Sequence, residues 1–231
     1  MWTTQAIFGT AMPAMDWRQL FRGKPPVPPV PAEPYFSTPE STNWFKNALR
    51  GARLYLEYGA GGSTYLAARY KRDFVSVESD RRFLRAVRRK IAGDGLLDET
   101  HQAFIHADIG RTAKWGQPAV VVPPDRKRRE RFARYSDYPP ALLARGAVPD
   151  LILVDGRFRL ACALKAVRAL ALAPGWTLAF DDYTNHAHYH AMERLCAPAE
   201  IIGHMAIFRP TQAMRLDRLD SLIRRHELDA R

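Results

Sequence analysis

Short apolar segments alternate with helix-like segments along most of the chain. The segments LYLEY, DFVSVE, DLILV and WTLAF have the composition of strands, and segments such as DRRFLRAVRRKIAG between them carry apolar residues at helical spacing. Strands that alternate with helices in this way predict a parallel sheet with helices on both faces. An apolar run without interruption, as in DLILV, is typical of a strand covered on both sides. The predicted fold class is therefore α/β, with a doubly wound, mostly parallel sheet.

Proline and charge divide the chain into regions. Residues 24–34 contain six prolines, which predict an extended connector and not a core element. We therefore expect residues 1–34 to form an N-terminal extension with a proline-rich linker, and residues 35–231 to form one domain. Within that domain, residues 111–149 make a basic insertion too long for a crossover, and such insertions are usually lids or binding loops. Its Phe132, Tyr135 and Tyr138 could stack on a nucleotide beside the arginines, or the segment could be a disordered charged loop.

The charge of the chain bears on its partners. The net charge of +11 favours an acidic partner, which could be nucleic acid, an anionic surface or an acidic small molecule. No apolar run reaches the length of a membrane helix, and the N-terminal segment lacks a basic leader. Cys162 and Cys196 read as buried free thiols in a reducing compartment. We expect a cytoplasmic protein without a membrane partner, and the oligomeric state stays open.

Three glycines lie between the first predicted strand and its helix. Gly59, Gly61 and Gly62 occupy the turn at the carboxyl end of the strand, where doubly wound sheets bind ligands. Glycine lets a ligand approach the backbone, and the start of the helix offers unpaired N–H groups. The third glycine of a dinucleotide fingerprint is missing because Thr64 stands there. An NAD-dependent oxidoreductase is therefore a disfavoured alternative.

Carboxylates follow the second and third strands. Glu78 ends the second strand 19 residues after Gly59, a position from which a carboxylate can accept both ribose hydroxyl hydrogens. It would also repel a 2′-phosphate, which disfavours NADP. Asp108 and Ile109 follow the third strand in the segment HADIG. These residues and the glycine turn together predict a nucleoside site.

The pattern Glu-x-Gly-x-Gly-Gly-Ser-Thr that begins at Glu57 resembles motif I of the class I S-adenosylmethionine-dependent methyltransferases. The resemblance covers roughly residues 36–210 and implies a Rossmann-like methyltransferase fold with S-adenosyl-L-methionine as cofactor. It implies that Glu57 lies near the ammonium group of the cofactor, that Asp108 reads the adenine amino group and that Ile109 packs on the ring. The cofactor-binding residues that it implies are Glu57, Gly59, Ala60, Gly61, Gly62, Ser63, Thr64, Glu78, Ser79, Asp108, Ile109 and Asp155.

A second acidic group follows the fourth and fifth strands. Asp155 ends the fourth strand, and Asp181 and Asp182 end the fifth 26 residues later. Neighbouring parallel strands would bring the three carboxylates together, where they repel one another unless a cation such as Mg²⁺ binds them. The pattern resembles metal-dependent O-methyltransferases of the catechol and sugar types, in which the metal lowers the pKa of the acceptor hydroxyl. Asp155, Asp181 and Asp182 are thus candidate Mg²⁺ ligands.

The segment DGRFR departs from those metal enzymes. Its Arg157 and Arg159 could neutralise the carboxylates without a metal, or bind an acidic substrate bidentately. The segment HAHYH reads as part of a helix on which His186 and His190 share a face, so that His186 could act as a general base. The candidate catalytic residues are Asp155, Asp182 and His186, and the candidate substrate residues are Arg157, Arg159 and Tyr183.

The function that these features predict is S-adenosylmethionine-dependent methylation of an oxygen or nitrogen in a small or anionic acceptor. The transfer is an in-line displacement that depends mostly on positioning. A non-catalytic module that binds nucleic acid or an anionic surface on the same fold is the alternative, which makes nucleic acid a second candidate partner.

Overall fold

The computed structural model describes residues 26–119 and 124–231, and this part of the chain forms a seven-stranded sheet. The strands lie in the order β3-β2-β1-β4-β5-β7-β6. Strands β1 to β5 are parallel, and β7 runs antiparallel to both β5 and β6. The strand bounds are β1 (Leu54–Tyr58), β2 (Asp73–Glu78), β3 (Gln102–His106), β4 (Leu151–Val154), β5 (Thr177–Phe180), β6 (Glu200–Ile202) and β7 (Met205–Phe208). The prediction of a mostly parallel, doubly wound α/β sheet is confirmed.

Helices cover both faces of the sheet, and each face has its own apolar core. Leu56 points into one core and Tyr55 into the other, because alternate residues of a strand face opposite sides. Thr38 and Asp80 cap two of the helices by accepting backbone N–H bonds in the first turn. The helix bounds are α1 (Pro39–Gly51), α2 (Gly62–Arg69), α3 (Arg81–Gly93), α4 (Arg126–Tyr135), α5 (Pro140–Arg145), α6 (Arg159–Leu170) and α7 (Leu219–His226).

Two helix predictions differ from the structure. The segment after β5 forms 3₁₀ turns, Tyr183–Asn185 and Ala187–Arg194, and not an α-helix. Its buried residues Tyr189 and Met192 are three apart, the spacing that a 3₁₀ helix places on one side. His186 precedes the second turn in an extended conformation, so the prediction that it shares a helical face with His190 is wrong. The segment TQAMRLDRLDSLIRRHEL has the pattern of one amphipathic helix from Thr211, but the helix begins only at Leu219, after a 3₁₀ turn.

The insertion at 111–149 packs onto the sheet where the structure describes it. Phe132, Tyr135 and Tyr138 are only 5%, 1% and 6% exposed. The rings of Phe132 and Tyr135 lie 5.0 and 5.4 Å from the ring of Phe158. These residues form the apolar side of α4 and the turn after it, so little of their surface is left to stack on a nucleotide. The alternative of a disordered loop does not hold for α4, which is an ordered helix. The basic residues of α4 that face solvent include Arg126, Lys127 and Arg129.

The end of the proline-rich linker also packs against the domain. We call residues 26–38 the strap. Pro34 and Phe36 are buried, and Val30 packs on one of the two cores. The Glu33 carboxylate makes ion pairs with Lys46 and with Arg69. Residues 1–25 of the expected extension lie outside the described residues.

The two cysteines, Cys162 and Cys196, are buried free thiols, as predicted. None of the helices in the described ranges has the length and apolar character that crossing a membrane requires.

Candidate active site

The three loop glycines have different surroundings. Gly59 has φ +108°, and a Cβ atom on it would lie 2.6 Å from the Gly156 nitrogen, so the ends of β1 and β4 touch backbone to backbone. A Cβ atom on Gly62 would lie 2.3 Å from the carbonyl oxygen of Glu33 in the strap. A Cβ atom on Gly61 would meet nothing within 4 Å. Packing within the chain thus explains Gly59 and Gly62, whereas Gly61 lies beside open space at the carboxyl edge of the sheet.

Glu57 lies beneath the glycine loop and not at its surface. Its side chain is fully buried, and its Oε2 accepts hydrogen bonds from Tyr55 Oη at 2.9 Å and Ser63 Oγ at 2.7 Å. Burial raises the pKa of Glu57 to about 7. The Gly61 N–H donates to Thr64 Oγ1 at 2.9 Å. Glu57, Ser63 and Thr64 therefore hold the start of α2, and Glu57 has no accessible atom for the contact with an ammonium group that was expected.

Glu78 joins the end of β2 to the glycine loop. Its Oε2 accepts the Ala60 N–H at 3.1 Å, and its Oε1 accepts the Asp80 N–H at 2.7 Å. Ser79 Oγ lies 3.1 Å from Glu78 Oε1 and 3.1 Å from the Gly116 carbonyl oxygen. The turn Lys114–Gly116 thus packs beside Glu78, and burial raises the pKa of this carboxyl group.

Asp108 and Ile109 follow β3 but have different environments. Asp108 is exposed, accepts the Gly110 N–H at 2.8 Å and lies 3.4 Å from Arg131 Nη1. Ile109 is fully buried in the core. The expectation that Ile109 packs on an adenine ring is therefore not met, because its side chain is already covered by the protein.

The three predicted carboxylates converge at the ends of β4 and β5. Asp155, Asp181 and Asp182 each offer an oxygen within 4.8 Å of the others. Asp181 is 4% exposed, and its Oδ1 has no hydrogen-bond partner in the described part of the chain. Burial, together with the negative charges of Asp155 and Asp182, raises the pKa of Asp181 to about 8. The cluster therefore holds a proton or a cation near neutral pH.

Arg159, at the start of α6, partly neutralises this cluster. Its Nη2 lies 3.1 Å from Asp155 Oδ1, and its Nη1 lies 3.0 Å from Asp182 Oδ2. The same Nη1 donates to the Asp181 carbonyl oxygen at 2.9 Å, and Nε donates to the Gly156 carbonyl oxygen at 3.1 Å. Arg159 is therefore engaged mainly within the protein, because its side chain is only 7% exposed and pairs with two carboxylates.

Asp182 differs from its two neighbours in the cluster. Although burial alone would raise its pKa, the charge of Arg159 and the hydrogen bond from Ser37 hold the pKa of Asp182 below its usual value. Ser37 Oγ, in the strap, donates to Asp182 Oδ1 at 3.0 Å. Asp182 also has φ +55°, a left-handed conformation that is uncommon for residues other than glycine and that clusters at functional sites.

The remaining predicted residues are either buried within the protein or line a cavity. Tyr183 is 1% exposed and its hydroxyl donates to Glu193 Oε1 at 3.1 Å, so it does not serve as a substrate residue. His186 is exposed, and its ring lies 5.6 Å from the ring of His188. Arg157 lines a cavity of ≈ 630 Å³ together with Asp182 and His186.

Sequence reasoning missed several residues of this cavity. The missed residues of its lining are Gln117, Pro118, His188, Tyr189, Leu228, Ala230 and Arg231. Arg159 and Phe132, which the sequence had singled out as possible ligand contacts, also line it. His188 stands in the run that drew attention to His186, so the repeated histidines were a usable signal. No pattern in the sequence connects residues 228–231 with the carboxyl ends of β4 and β5.

The comparisons with known proteins agree with this architecture. The crystal structure of a methyltransferase-like protein from Silicibacter pomeroyi is 31% identical, with a TM-score of 0.67, over 87% of this chain and 100% of that one. A methyltransferase from Geobacter sulfurreducens is 13% identical, with a TM-score of 0.44, over 76% of this chain and 82% of that one. No protein-family model and no curated protein matches the chain. The chain belongs to the class I S-adenosylmethionine-dependent methyltransferase superfamily.

Proposed function

We propose that the protein transfers the methyl group of S-adenosyl-L-methionine to an oxygen or nitrogen atom of a small acceptor. The observation that carries the proposal is the 3.1 Å hydrogen bond between Glu78 and the Ala60 amide, beside the open face of Gly61. Two patterns that lie apart in the sequence thus meet at the edge of the sheet where doubly wound folds bind nucleosides.

The residues at this edge fit the proposed cofactor. A carboxylate has about four lone-pair sites, so Glu78 retains acceptor capacity for ribose hydroxyls beyond the backbone bonds that orient it. Asp108 offers an exposed carboxylate at the end of β3 for the adenine amino group. The acidic cluster attracts a positively charged sulfonium group. The bound cofactor supplies the electrophilic methyl group, and the protein aligns an acceptor atom about 3 Å from it.

Within the acidic cluster, Asp182 is the residue that lines the cavity beside the proposed transfer site. Its lowered pKa keeps it ionised at neutral pH but also makes it a weak base, so it is suited to orient an acceptor hydroxyl by a hydrogen bond and would accept the proton only of an acidic one. His186 also lines the cavity and is a second candidate proton acceptor. Asp155 is tied to Arg159 and acts in this scheme through its charge.

A divalent cation is a further part of the proposal. Asp155, Asp181 and Asp182 supply the oxygen ligands that Mg²⁺ prefers. The buried Oδ1 of Asp181 has no hydrogen-bond partner among the described residues, and a bound cation would pair with it. The cation would supply Lewis-acid activation of the acceptor oxygen. Calorimetry with MgCl₂ on EDTA-treated protein tests this point, because binding that Asp181→Asn abolishes supports a metal site. An absence of Mg²⁺ binding would leave Arg159 and a proton as the neutralising groups.

Calorimetry and thermal unfolding with S-adenosylmethionine and S-adenosylhomocysteine test the main proposal. A ligand at 100 times its Kd stabilises the native state by about 2.7 kcal/mol. Replacement of Glu78 by Gln removes charge-assisted hydrogen bonds, and we expect cofactor affinity to fall roughly 10- to 100-fold. Glu130→Gln, on the outer side of α4, is the matched control. Stabilisation by NAD but by neither S-adenosylmethionine nor S-adenosylhomocysteine would overturn the proposal.

A further inference from the structure

We propose that the ≈ 630 Å³ cavity holds the methyl acceptor and selects one with an anionic group, which Arg157 and His188 bind. This inference rests on the proposed function, because it assigns a substrate class to the same site. The ligand chemistry is that of a carboxylate or phosphate joined to a small body with apolar surface.

The cavity has the position and size that an acceptor site needs. Asp182 in its wall belongs to the acidic cluster, and Gly156, the residue before Arg157 of the lining, touches the glycine loop. Volumes of about 300–1,000 Å³ are typical of small-molecule sites. Part of the lining is apolar, including Pro118, Tyr189 and Leu228. A small molecule in this cavity therefore lies next to the edge of the sheet where the cofactor is proposed to bind.

Arg157 is the arginine of this cavity that makes no ion pair with a carboxylate in the described ranges, although its charge acts on the more distant Asp155. Its Nε is buried and has no hydrogen-bond partner within residues 26–119 and 124–231, and no carboxylate lies within 4.0 Å of its guanidinium in those ranges. Arg159 and Arg231, the other arginines of the lining, are paired with Asp155 and Asp229 respectively. A buried guanidinium nitrogen without an acceptor is costly. Because Arg157 as a whole is only partly buried and lines the cavity, a ligand there can pair with the accessible part of its guanidinium group.

His188 adds a second unpartnered nitrogen to the lining. Its Nε2 is buried without a hydrogen-bond partner among the residues that the structure describes. Its ring lies 4.1 Å from the Tyr189 ring, centroid to centroid, which fixes one side of it in the wall. An oxyanion can accept from both the Arg157 guanidinium and the His188 imidazole, because each carboxylate oxygen has two lone pairs.

The backbone around Arg157 is fixed by contacts with neighbouring residues. The Arg157 N–H donates to Tyr135 Oη at 3.2 Å, and a Cβ atom on Gly156 would lie 2.3 Å from the same hydroxyl. Phe158, the next residue, has φ +51°, which is rare for a bulky side chain. The buried ring of Phe158 fixes this conformation. Arg157 therefore belongs to a rigid turn with a strained residue, Phe158, after it. This turn separates Arg157 from Arg159, whose side chain pairs with the acidic cluster.

The test compares three probes of one shape by calorimetry: benzoate, phenyl phosphate and the neutral benzamide. Each is titrated into the full chain with and without saturating S-adenosylhomocysteine. We expect at least one of the two anions to bind the wild type more than tenfold more tightly than benzamide. The stronger of the two identifies carboxylate or phosphate as the group selected. Equal affinity for acid and amide, or no binding of any probe, would overturn the inference.

Variants assign the preference to the two residues. Arg157→Gln and His188→Asn should each lower anion affinity, the first by tenfold or more, and leave benzamide affinity unchanged. Arg157→Lys keeps the charge and should give an intermediate affinity. Arg126→Gln, at an exposed position of α4, is the matched control. Undiminished anion affinity in folded Arg157→Gln would also overturn the inference. Binding of S-adenosylhomocysteine is measured on every variant, so a failure of the proposed function is seen separately.

Discussion

Gly61 and Gly62 are adjacent in the sequence, yet they face different surroundings. The neighbour of Gly62 is the strap backbone, and the neighbour of Gly61 is the open space in which the cofactor is proposed to lie. The same substitution at the two positions should therefore affect different properties of the protein.

We expect Gly62→Ala to destabilise the native state by about 1–3 kcal/mol, the usual cost of overpacking, because the methyl group would overlap the Glu33 carbonyl. Gly61→Ala should leave the Tm nearly unchanged and weaken binding of S-adenosylhomocysteine, since its methyl group meets only the crevice. Thermal unfolding and calorimetry on both variants check this. A large loss of Tm in Gly61→Ala with normal affinity would contradict the assignment.

Glu57 lies beneath the glycine loop and supports it by accepting hydrogen bonds, whether its carboxyl group is protonated or ionised. Glu57→Gln keeps an oxygen that can accept from Tyr55 and Ser63, and it removes a carboxyl group whose pKa burial raises to about 7. We expect Glu57→Gln to retain cofactor affinity within a few-fold, and Glu57→Ala to lose both stability and affinity. If Glu57→Gln lost affinity as fully as Glu57→Ala at unchanged Tm, direct contact with the cofactor would replace this supporting role.

The residue positions that could be predicted and those that could not differ in what determines them. Glu78 and the acidic cluster follow from strand ends, because parallel strands bring their carboxyl termini to one edge of the sheet. The roles of Arg157 and Arg159 were open in the sequence, since the left-handed turn at Phe158 decides which arginine meets the carboxylates. The buried states of Ile109 and Tyr183 depend on tertiary packing, which local patterns do not contain.

At the scale of elements, α4 and the turn after it are held to the sheet by aromatic residues. Lys165 of α6 adds a hydrogen bond to the Ala133 carbonyl oxygen at 2.8 Å and an ion pair with Asp137 at 2.8 Å. The basic outer face of α4 is thus attached to the domain through its inner face. Composition indicated the charge of this segment correctly but not its anchorage.

Tyr138→Ala should lower the stability of the native state by about 3 kcal/mol, as large-to-small substitutions of buried aromatic residues do. For a domain of this size that corresponds to a Tm decrease of roughly 6–12 °C. Trp115→Ala is the control, because Trp115 is 70% exposed and should change the Tm little. An unchanged Tm in Tyr138→Ala would restore the interpretation of this residue as a surface group that contacts ligands.

Outside the insertion, the succession of strands and helices up to β5 could be predicted because each element carries a strong periodic pattern. The region after β5 was less predictable. Its histidines and tyrosines permit either an α-helix or 3₁₀ turns, and the burial of Tyr189 and Met192 favours the latter. The antiparallel β7 also depends on the short turn through Gly203, whose φ is +56°.

At the scale of the whole molecule, the acidic cluster makes stability depend on pH. The pKa of Asp181 rises from 3.8 to about 8 on folding, so the native state binds more protons than the unfolded state between these values. Its contribution to stability is therefore complete below about pH 4 and is lost as the pH rises towards 8.

Asp181→Asn mimics the protonated side chain and removes this titration. Thermal unfolding curves over a series of pH values give the difference in Tm between this variant and the wild type. We expect this difference to increase in favour of the variant from pH 5 to pH 8.5, by about 1 kcal/mol or more, which corresponds to roughly 2–4 °C. The Tm of Asp217→Asn, a substitution at an exposed position, should depend on pH in the same way as that of the wild type. Parallel curves for Asp181→Asn would mean that Asp181 is ionised throughout this range.

The hydrogen bond between Ser37 and Asp182 joins positions 145 residues apart. A ribosome releases the first of these residues early and the second only when most of the chain has been made. The contact between the strap and Asp182 can therefore form only after β5 has been made, whereas Glu33 of the strap pairs with Lys46 and Arg69, which are made much earlier. A nascent polypeptide consequently lacks the link between its strap and the acidic cluster until most of the sheet exists.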